Sequence, residues 1–205
     1  MSDTMNEYEL ELYKKGYEFI AGIDEVGRGP LVGSVVAACV ILPKDFVLDG
    51  INDSKKLTEK KRDLYYTIIK EKAISIGIGI IDEKEIDKIN ILEGTKKAML
   101  IAIKECTVKP GYILIDGNML FKLDNYKSIV KGDSKSISIA AASIIAKVTR
   151  DKMMYELDKK HPEYGFKTNK GYGTKKHVEA IETYGIINEH RKSFRPISKN
   201  VNKQL

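Results

Sequence analysis

Residues 35–42 (VVAACVIL) are apolar without interruption, and Gly33 and Pro43 bound the run. A strand with one wet face alternates apolar and polar side chains, so this run reads as a strand covered on both faces. Neighbouring segments supply the rest of a sheet. Residues 19–23 and 112–115 (YILI) are short apolar strands, 74–81 (ISIGIGII) alternates Ile with Ser and Gly, and 126–130 is the last strand. Helical stretches lie around them. A short leading helix is expected within 1–17, using Leu10, Tyr13 and Tyr17. Thr58 caps a helix to about Lys72 with Leu64, Ile68 and Ile69 facing inward, after a polar loop at 52–56. Residues 84–106 form a helix that breaks near Asn90 or Gly94. The helix over 138–160 opens on Ala140, Ala141 and Ala142, which suits close packing on the sheet, and Pro162 stops it. A Gly- and Lys-rich loop at 166–173 (FKTNKGYG) leads to a helix over 174–184, and the tail after Gly185 is basic and poorly patterned. The 205 residues fit one α/β domain, with a core over about 18–160 and a C-terminal helical extension over 161–205.

Two of the strands end in acids. The first runs into Asp24-Glu25 and then the turn Gly27-Arg28-Gly29-Pro30; the fourth runs into Asp116-Gly117. Ionised carboxylates are costly at a buried strand end unless something pairs with them, and strand ends at a sheet rim are where α/β folds meet ligands. Asp133, just before the long helix, offers a further acid. If the strands of Asp24 and Asp116 are parallel neighbours, their carboxylates meet at one rim. Four such groups repel one another, and hard divalent cations with oxygen ligands resolve the repulsion. Two such ions can activate a water and stabilise a leaving oxygen in phosphodiester cleavage. Taken singly, each acid fits a turn or a helix start equally well.

The net charge of +6 suggests an anionic partner, and its distribution says where that partner would approach. Residues 131–176 carry eleven basic against five acidic side chains, whereas residues 1–130 are slightly acidic. Cys39 and Cys106 are far apart in sequence and read as reduced core residues. His161, His177 and His190 lack zinc-site spacing. The N-terminus is acidic, without the apolar stretch of a signal peptide, and no apolar run is long enough to span a bilayer. A cytoplasmic protein without membrane contact is expected. No G-x-x-x-x-G-K-[ST] is present, which argues against a nucleoside-triphosphatase.

The segments GIDEVGRGPLVGSVVAA (22–38), LIDGN (114–118), KGDSKSISIAAASIIAKVTRD (131–151) and YGFKTNKGYGTKKH (164–177) resemble, in order and spacing, the motif blocks of type 2 ribonuclease H, or ribonuclease HII. The likeness extends from about Ile20 to Pro196. Val26 and the ending His190-Arg191, Ser193-Phe194, Pro196 resemble its bacterial members, while type 3 ribonuclease H lacks the Gly-Arg-Gly turn. The resemblance implies a ribonuclease H-like fold, a mixed five-stranded sheet with helices on both faces. It implies that Asp24, Glu25, Asp116 and Asp133 are the catalytic tetrad and bind two Mg²⁺ or Mn²⁺ ions. Asp24 would bridge the ions, Asp133 would lie toward the nucleophilic water and Asp116 toward the leaving 3′ oxygen. The implied substrates are RNA/DNA hybrid and ribonucleotide-containing duplex DNA. Cleavage would fall 5′ to a ribonucleotide, even a single embedded one, and leave a 3′-hydroxyl and a 5′-phosphate.

On that resemblance the Gly27, Arg28 and Gly29 backbone approaches a ribose 2′-hydroxyl, the group that separates RNA from DNA. Tyr172 matches the tyrosine that stacks on the next sugar, and its flanking Gly171 and Gly173 would let the loop swing the ring into place. Lys55, Lys56, Lys147, Arg150 and Lys170 are expected phosphate contacts, and a monomer is expected. Two alternatives stay open. Another metal-dependent nuclease on the same fold, such as a junction resolvase, needs the acids but not the Gly-Arg-Gly turn or Tyr172. A non-catalytic nucleic-acid-binding module needs only the basic charge.

Overall fold

In the computed structural model, residues 5–51 and 57–198 are described; the expected polar loop at 52–56, with Lys55 and Lys56, lies outside them. The apolar run forms β2 (Val35–Ile41), buried at every position. It lies inside a five-stranded sheet of order β3-β2-β1-β4-β5, with β1 (Ile20–Val26), β3 (Ser75–Ile81), β4 (Tyr112–Asp116) and β5 (Tyr126–Ile129). β2 is antiparallel to both β1 and β3, whereas β1, β4 and β5 are mutually parallel, so the sheet is mixed.

Both faces are covered. Side chains alternate along a strand, so Ala21 and Ile23 of β1, with Ala37 and Cys39 of β2, face Ala98, Met99 and Ala102 of α3 (Glu83–Lys104). Val36, Ala38 and Val40 face the other way, onto Tyr65 and Ile69 of α2 (Glu59–Lys72) and the alanine-rich start of α4 (Ile137–Lys160). Gly22 is what allows α4 to lie so close: a Cβ there would stand 2.0 Å from the Ser138 carbonyl carbon. The caps follow the sequence. Thr58, Asp82 and Ser136 each accept a hydrogen bond from the backbone N–H three residues on, worth about 1 kcal/mol apiece.

Several expectations need correction. β1 does not stop before the acids; it continues through Asp24 and Glu25 to Val26 because β2 pairs with it along that length. On α2 the inner positions are Tyr65 and Ile69, while Leu64 is 57% exposed; the Tyr65 hydroxyl, which donates to the Asp49 carbonyl, fixes that rotation. The break in α3 does fall at Asn90, the first of the two expected positions, whose positive φ of 67° is accompanied by its side chain accepting from the Leu92 and Glu93 N–H groups. In α1 (Glu7–Lys14) the buried residues are Leu12 and Glu9 and not Leu10. Glu9 Oε1 accepts from Ser136 Oγ, Ser138 N and Ser138 Oγ at 2.5–3.1 Å, placing a carboxylate at the N-terminus of α4, where the helix dipole favours it.

The tail is the largest departure. Beyond α4 come α5 (Phe166–Asn169) and α6 (Lys175–Tyr184), and the chain then turns back onto the β1–β2 connection. Val32 and His190 form an antiparallel bridge, flanked by Gly33 N to Glu189 O (2.9 Å) and Arg191 N to Leu31 O (2.8 Å). Leu31 and Val32 pack with Phe166, Ile181 and Ile197. Asp87 on α3 anchors the next residues by accepting from the Lys192 and Ser193 N–H groups and the Ser193 hydroxyl. The tail that reads as basic and poorly patterned buries His190 and Arg191 completely. No helix among the described residues is long and apolar enough to cross a membrane.

Candidate active site

The parallel pairing of β1 and β4 runs up to Ile23 opposite Ile115, so Asp24 and Asp116 are next in register at the same rim. Both fall on the face of the sheet that α4 covers. Asp24 is 6% exposed and its side chain takes hydrogen bonds from the Glu25 N–H at 2.7 Å and from Ser143 of α4. Asp116 Oδ1 accepts from Gly132 N at 2.6 Å, which fastens β4 to the turn Gly132–Ser134 that carries the buried Asp133. Glu25 completes the group, with Arg28 Nη1 reaching its Oε1 at 3.4 Å.

The electrostatics of this rim are those of an acidic cluster short of positive charge. Burial pushes the Asp24 carboxyl well above the usual range, and the charges of Glu25 and Asp116 add to it. Glu25 is likewise raised by burial and by Asp116, against the opposing pull of Arg28. Among the described residues no three ligating side chains close on one point as a preformed cage would. A hard cation that keeps several waters and takes substrate oxygens needs only one or two carboxylates, and the all-oxygen set fits that kind of ion.

The Gly-Arg-Gly turn lies just beyond. Gly27 has a φ of 95°, and a Cβ there would stand 2.4 Å from Arg150 Nε. A Cβ at Gly29 would come within 3.4 Å of Tyr172 Cε1, so the tyrosine ring stands beside the turn, as the sequence motifs would need it to. Its loop is held in place and not left to swing. Tyr172 N donates to Asn169 O, Thr174 N donates to Tyr172 O, and Leu31 N donates to Gly171 O.

The basic residues are placed variously. Arg150, expected on phosphate, is 1% exposed and its nitrogens donate to the Ser34, Val32 and Lys170 carbonyls. It is a brace between the two loops and not a surface contact. Lys147 donates to Asp151 at 2.7 Å, and Lys170 donates to the Lys167 carbonyl with its ammonium 3.8 Å above the Tyr155 ring. Both stay partly exposed beside the site.

Sequence reasoning missed Arg191, His177 and His190. Arg191 is wholly buried; its guanidinium donates to the carbonyls of Gly27 (2.6 Å), Gly33 (2.8 Å) and Arg28 (3.0 Å). Burial lowers the Arg150 and Arg191 pKa values, to about 10 and about 9, which leaves both charged at neutral pH. His190 Nδ1 accepts from Ile187 N at 2.9 Å, so its proton sits on Nε2, which faces His177 Nε2 at 3.3 Å. His177 must then carry its proton on Nδ1 and donate it to the Tyr172 carbonyl at 2.8 Å. Only in the neutral state can both rings complete this relay. The one sequence signal for it was a pair of histidines near a loop tyrosine.

That relay predicts a pH response. His190 is held down to about 4 by burial and by His177, against about 6.5 in an unfolded chain. The unfolded state therefore binds the extra proton between those values, and the stability His190 lends at neutral pH is lost as pH falls through that window. Nitrogen shifts of the two imidazoles by NMR should show neutral rings at pH 6, with the Nδ1 proton on His177 and the Nε2 proton on His190. An imidazolium at either position at pH 6 would refute the assignment.

The family model for ribonuclease HII matches residues 21–201. This chain belongs to the ribonuclease HII family. It is 58% identical over 201 residues to ribonuclease HII of Bacillus cytotoxicus, covering 98% of this chain and 78% of that one. The likeness to ribonuclease HII of Bacillus thuringiensis strain Al Hakam is also 58%, over 199 residues, or 97% and 77% of the two chains. Among solved structures, ribonuclease H2 from Pyrococcus horikoshii OT3 superposes with a TM-score of 0.76 at 26% identity, covering 90% of this chain and 98% of that one. The Mn²⁺ complex of Bst-RNase HIII superposes with a TM-score of 0.71 at 20% identity, covering 95% and 72%, and shares the fold. The chain is accordingly an endoribonuclease, a phosphodiester hydrolase on a ribonuclease H-like mixed sheet.

Proposed function

We propose that this ribonuclease HII, an endonuclease of RNA/DNA hybrids dependent on divalent metal, also cleaves 5′ to single ribonucleotides embedded in duplex DNA. The observation that carries this reading is the adjacency of Gly29 to the Tyr172 ring, next to the acidic rim. A glycine backbone can approach a 2′-hydroxyl that a Cβ would keep away, and a flat ring beside it can rest on the following deoxyribose. One site thereby reads an RNA-to-DNA step.

Asp24, Glu25, Asp116 and Asp133 are the proposed residues that would hold two Mg²⁺ or Mn²⁺ ions. Bound there, such ions would supply an activated water and stabilisation of the leaving 3′ oxygen. The protein's own part is positional. The β1–β4 register sets Asp24 against Asp116, the Ser143 hydroxyl orients Asp24, and the Gly132 N–H orients Asp116. Lys147 and Lys170 are proposed phosphate contacts on the approach, and the chain is proposed to act as a monomer.

Cleavage of three duplexes decides it: one with a single ribonucleotide, one with a continuous RNA strand, and an all-DNA four-way junction. Cutting of the first two, with products ending in 3′-hydroxyl and 5′-phosphate, is expected. Cutting of the all-DNA junction would instead favour a junction resolvase, and Mg²⁺-independent binding without cutting would leave only a binding module.

A further inference from the structure

Arg191 stands far from the acids in sequence, yet its whole guanidinium is spent on the β1–β2 connection next to them, two of its three bonds on the Gly-Arg-Gly turn. Three carbonyls, those of Gly27, Arg28 and Gly33, accept from its three nitrogens. The peptide bonds after Gly27 and Arg28 are trans, and in a trans peptide the N–H points opposite to the C=O. Turning the Gly27 and Arg28 carbonyls inward onto Arg191 therefore turns the N–H groups of Arg28 and Gly29 outward. Neither N–H donates to another described residue. Two successive outward N–H groups form an anion- and oxygen-binding concavity, and it opens beside the Tyr172 ring.

From this we infer that Arg191 is a positioning residue for substrate selection. It fixes the peptide orientation that lets the Arg28 and Gly29 N–H groups grip the 2′-hydroxyl of the ribonucleotide. The inference rests on the proposed reading of the Gly-Arg-Gly turn and adds the device that shapes it. The carbonyl acceptors explain why the residue is arginine. A planar fork can serve three separated carbonyls at once, whereas a lysine ammonium is a point donor. The bridge between Val32 and His190 and the contacts of Asp87 with Lys192 and Ser193 hold the fork in place from both sides.

The test is binding without divalent cation, so that no cutting intervenes. Affinities are compared for a duplex with one ribonucleotide and the same duplex with deoxyribose there. Wild type should favour the ribonucleotide duplex. Arg191→Lys should shrink that preference about tenfold, the worth of one good hydrogen bond, while affinity for the all-DNA duplex stays within twofold. A merely structural role would weaken both duplexes alike, and that result, or an unchanged preference, overturns the inference. A wild type with no preference would instead defeat the underlying reading of the turn. Amide hydrogen exchange in the wild type needs no variant and covers the case in which Arg191→Lys does not fold. The Arg28 and Gly29 amides should exchange freely in the unbound protein and become protected on the ribonucleotide duplex but not on the all-DNA one. Amides that stay unprotected on both overturn the inference.

Discussion

Asp24→Asn should lower Mg²⁺-dependent cleavage by more than about 100-fold while duplex binding stays intact or tightens. Loss of a group that merely orients a metal ligand typically costs 10–100-fold, and Asp24 is proposed as the ligand itself. The substitution is nearly isosteric, so the hydrogen bonds from Ser143 and the Glu25 N–H can persist on the amide oxygen. What disappears is one charge from a rim where burial, Glu25 and Asp116 already disfavour it. Phosphate then meets less repulsion, which is why binding should not suffer. Initial rates at saturating substrate, beside Kd from fluorescence anisotropy, separate the two effects. A variant retaining most of its rate would end the proposal that Asp24 is a metal ligand.

Tyr172 should show two separable losses. The ring stands beside Gly29, 43% exposed, and its backbone is held on both sides. Tyr172→Phe keeps the flat surface and should cost a few-fold in rate with little change in preference between substrates. Tyr172→Ala removes both ring and hydroxyl. It should slow cutting at a single embedded ribonucleotide by about tenfold more than cutting of a continuous hybrid, because stacking of a ring on nucleic acid is worth about 1–3 kcal/mol. Since His177 and Asn169 grip the main chain at Tyr172, the alanine variant should keep the loop in place. Equal slowing of both substrates would make Tyr172 a general positioning residue and move junction sensing elsewhere.

The acids were legible because their signal is local. An apolar strand that runs into Asp24 and Glu25, and another that runs into Asp116, contradict burial unless something binds there. Strand type and helix caps were readable for the same reason: Thr58 and the alternation at 74–81 act within a few residues. What escaped the sequence was set by partners far along the chain. Leu64 and Tyr65 are adjacent apolar residues, and only the Asp49 carbonyl decides which turns inward. Arg150, in the helical run Ala-Lys-Val-Thr-Arg, reads as an exposed phosphate contact, since nothing local announces the three carbonyls that take it in. The tail was the least legible part. A guanidinium becomes a core group only when a distant loop supplies its acceptors, and no window of sequence contains both.

The bond from Arg191 to the Gly27 carbonyl spans 164 positions of chain. Contacts of such separation carry the loop-closure cost that slows folding. Synthesis runs from the N-terminus, so Asp24, Glu25, Asp116 and Asp133 have all left the ribosome before Arg191 is added. On the proposed reading, the chain acquires its cutting chemistry first and its discrimination last. A chain made only through α4 would hold all four acids without the arginine that orients the turn, and on that reading the final stretch would be what makes the nuclease selective.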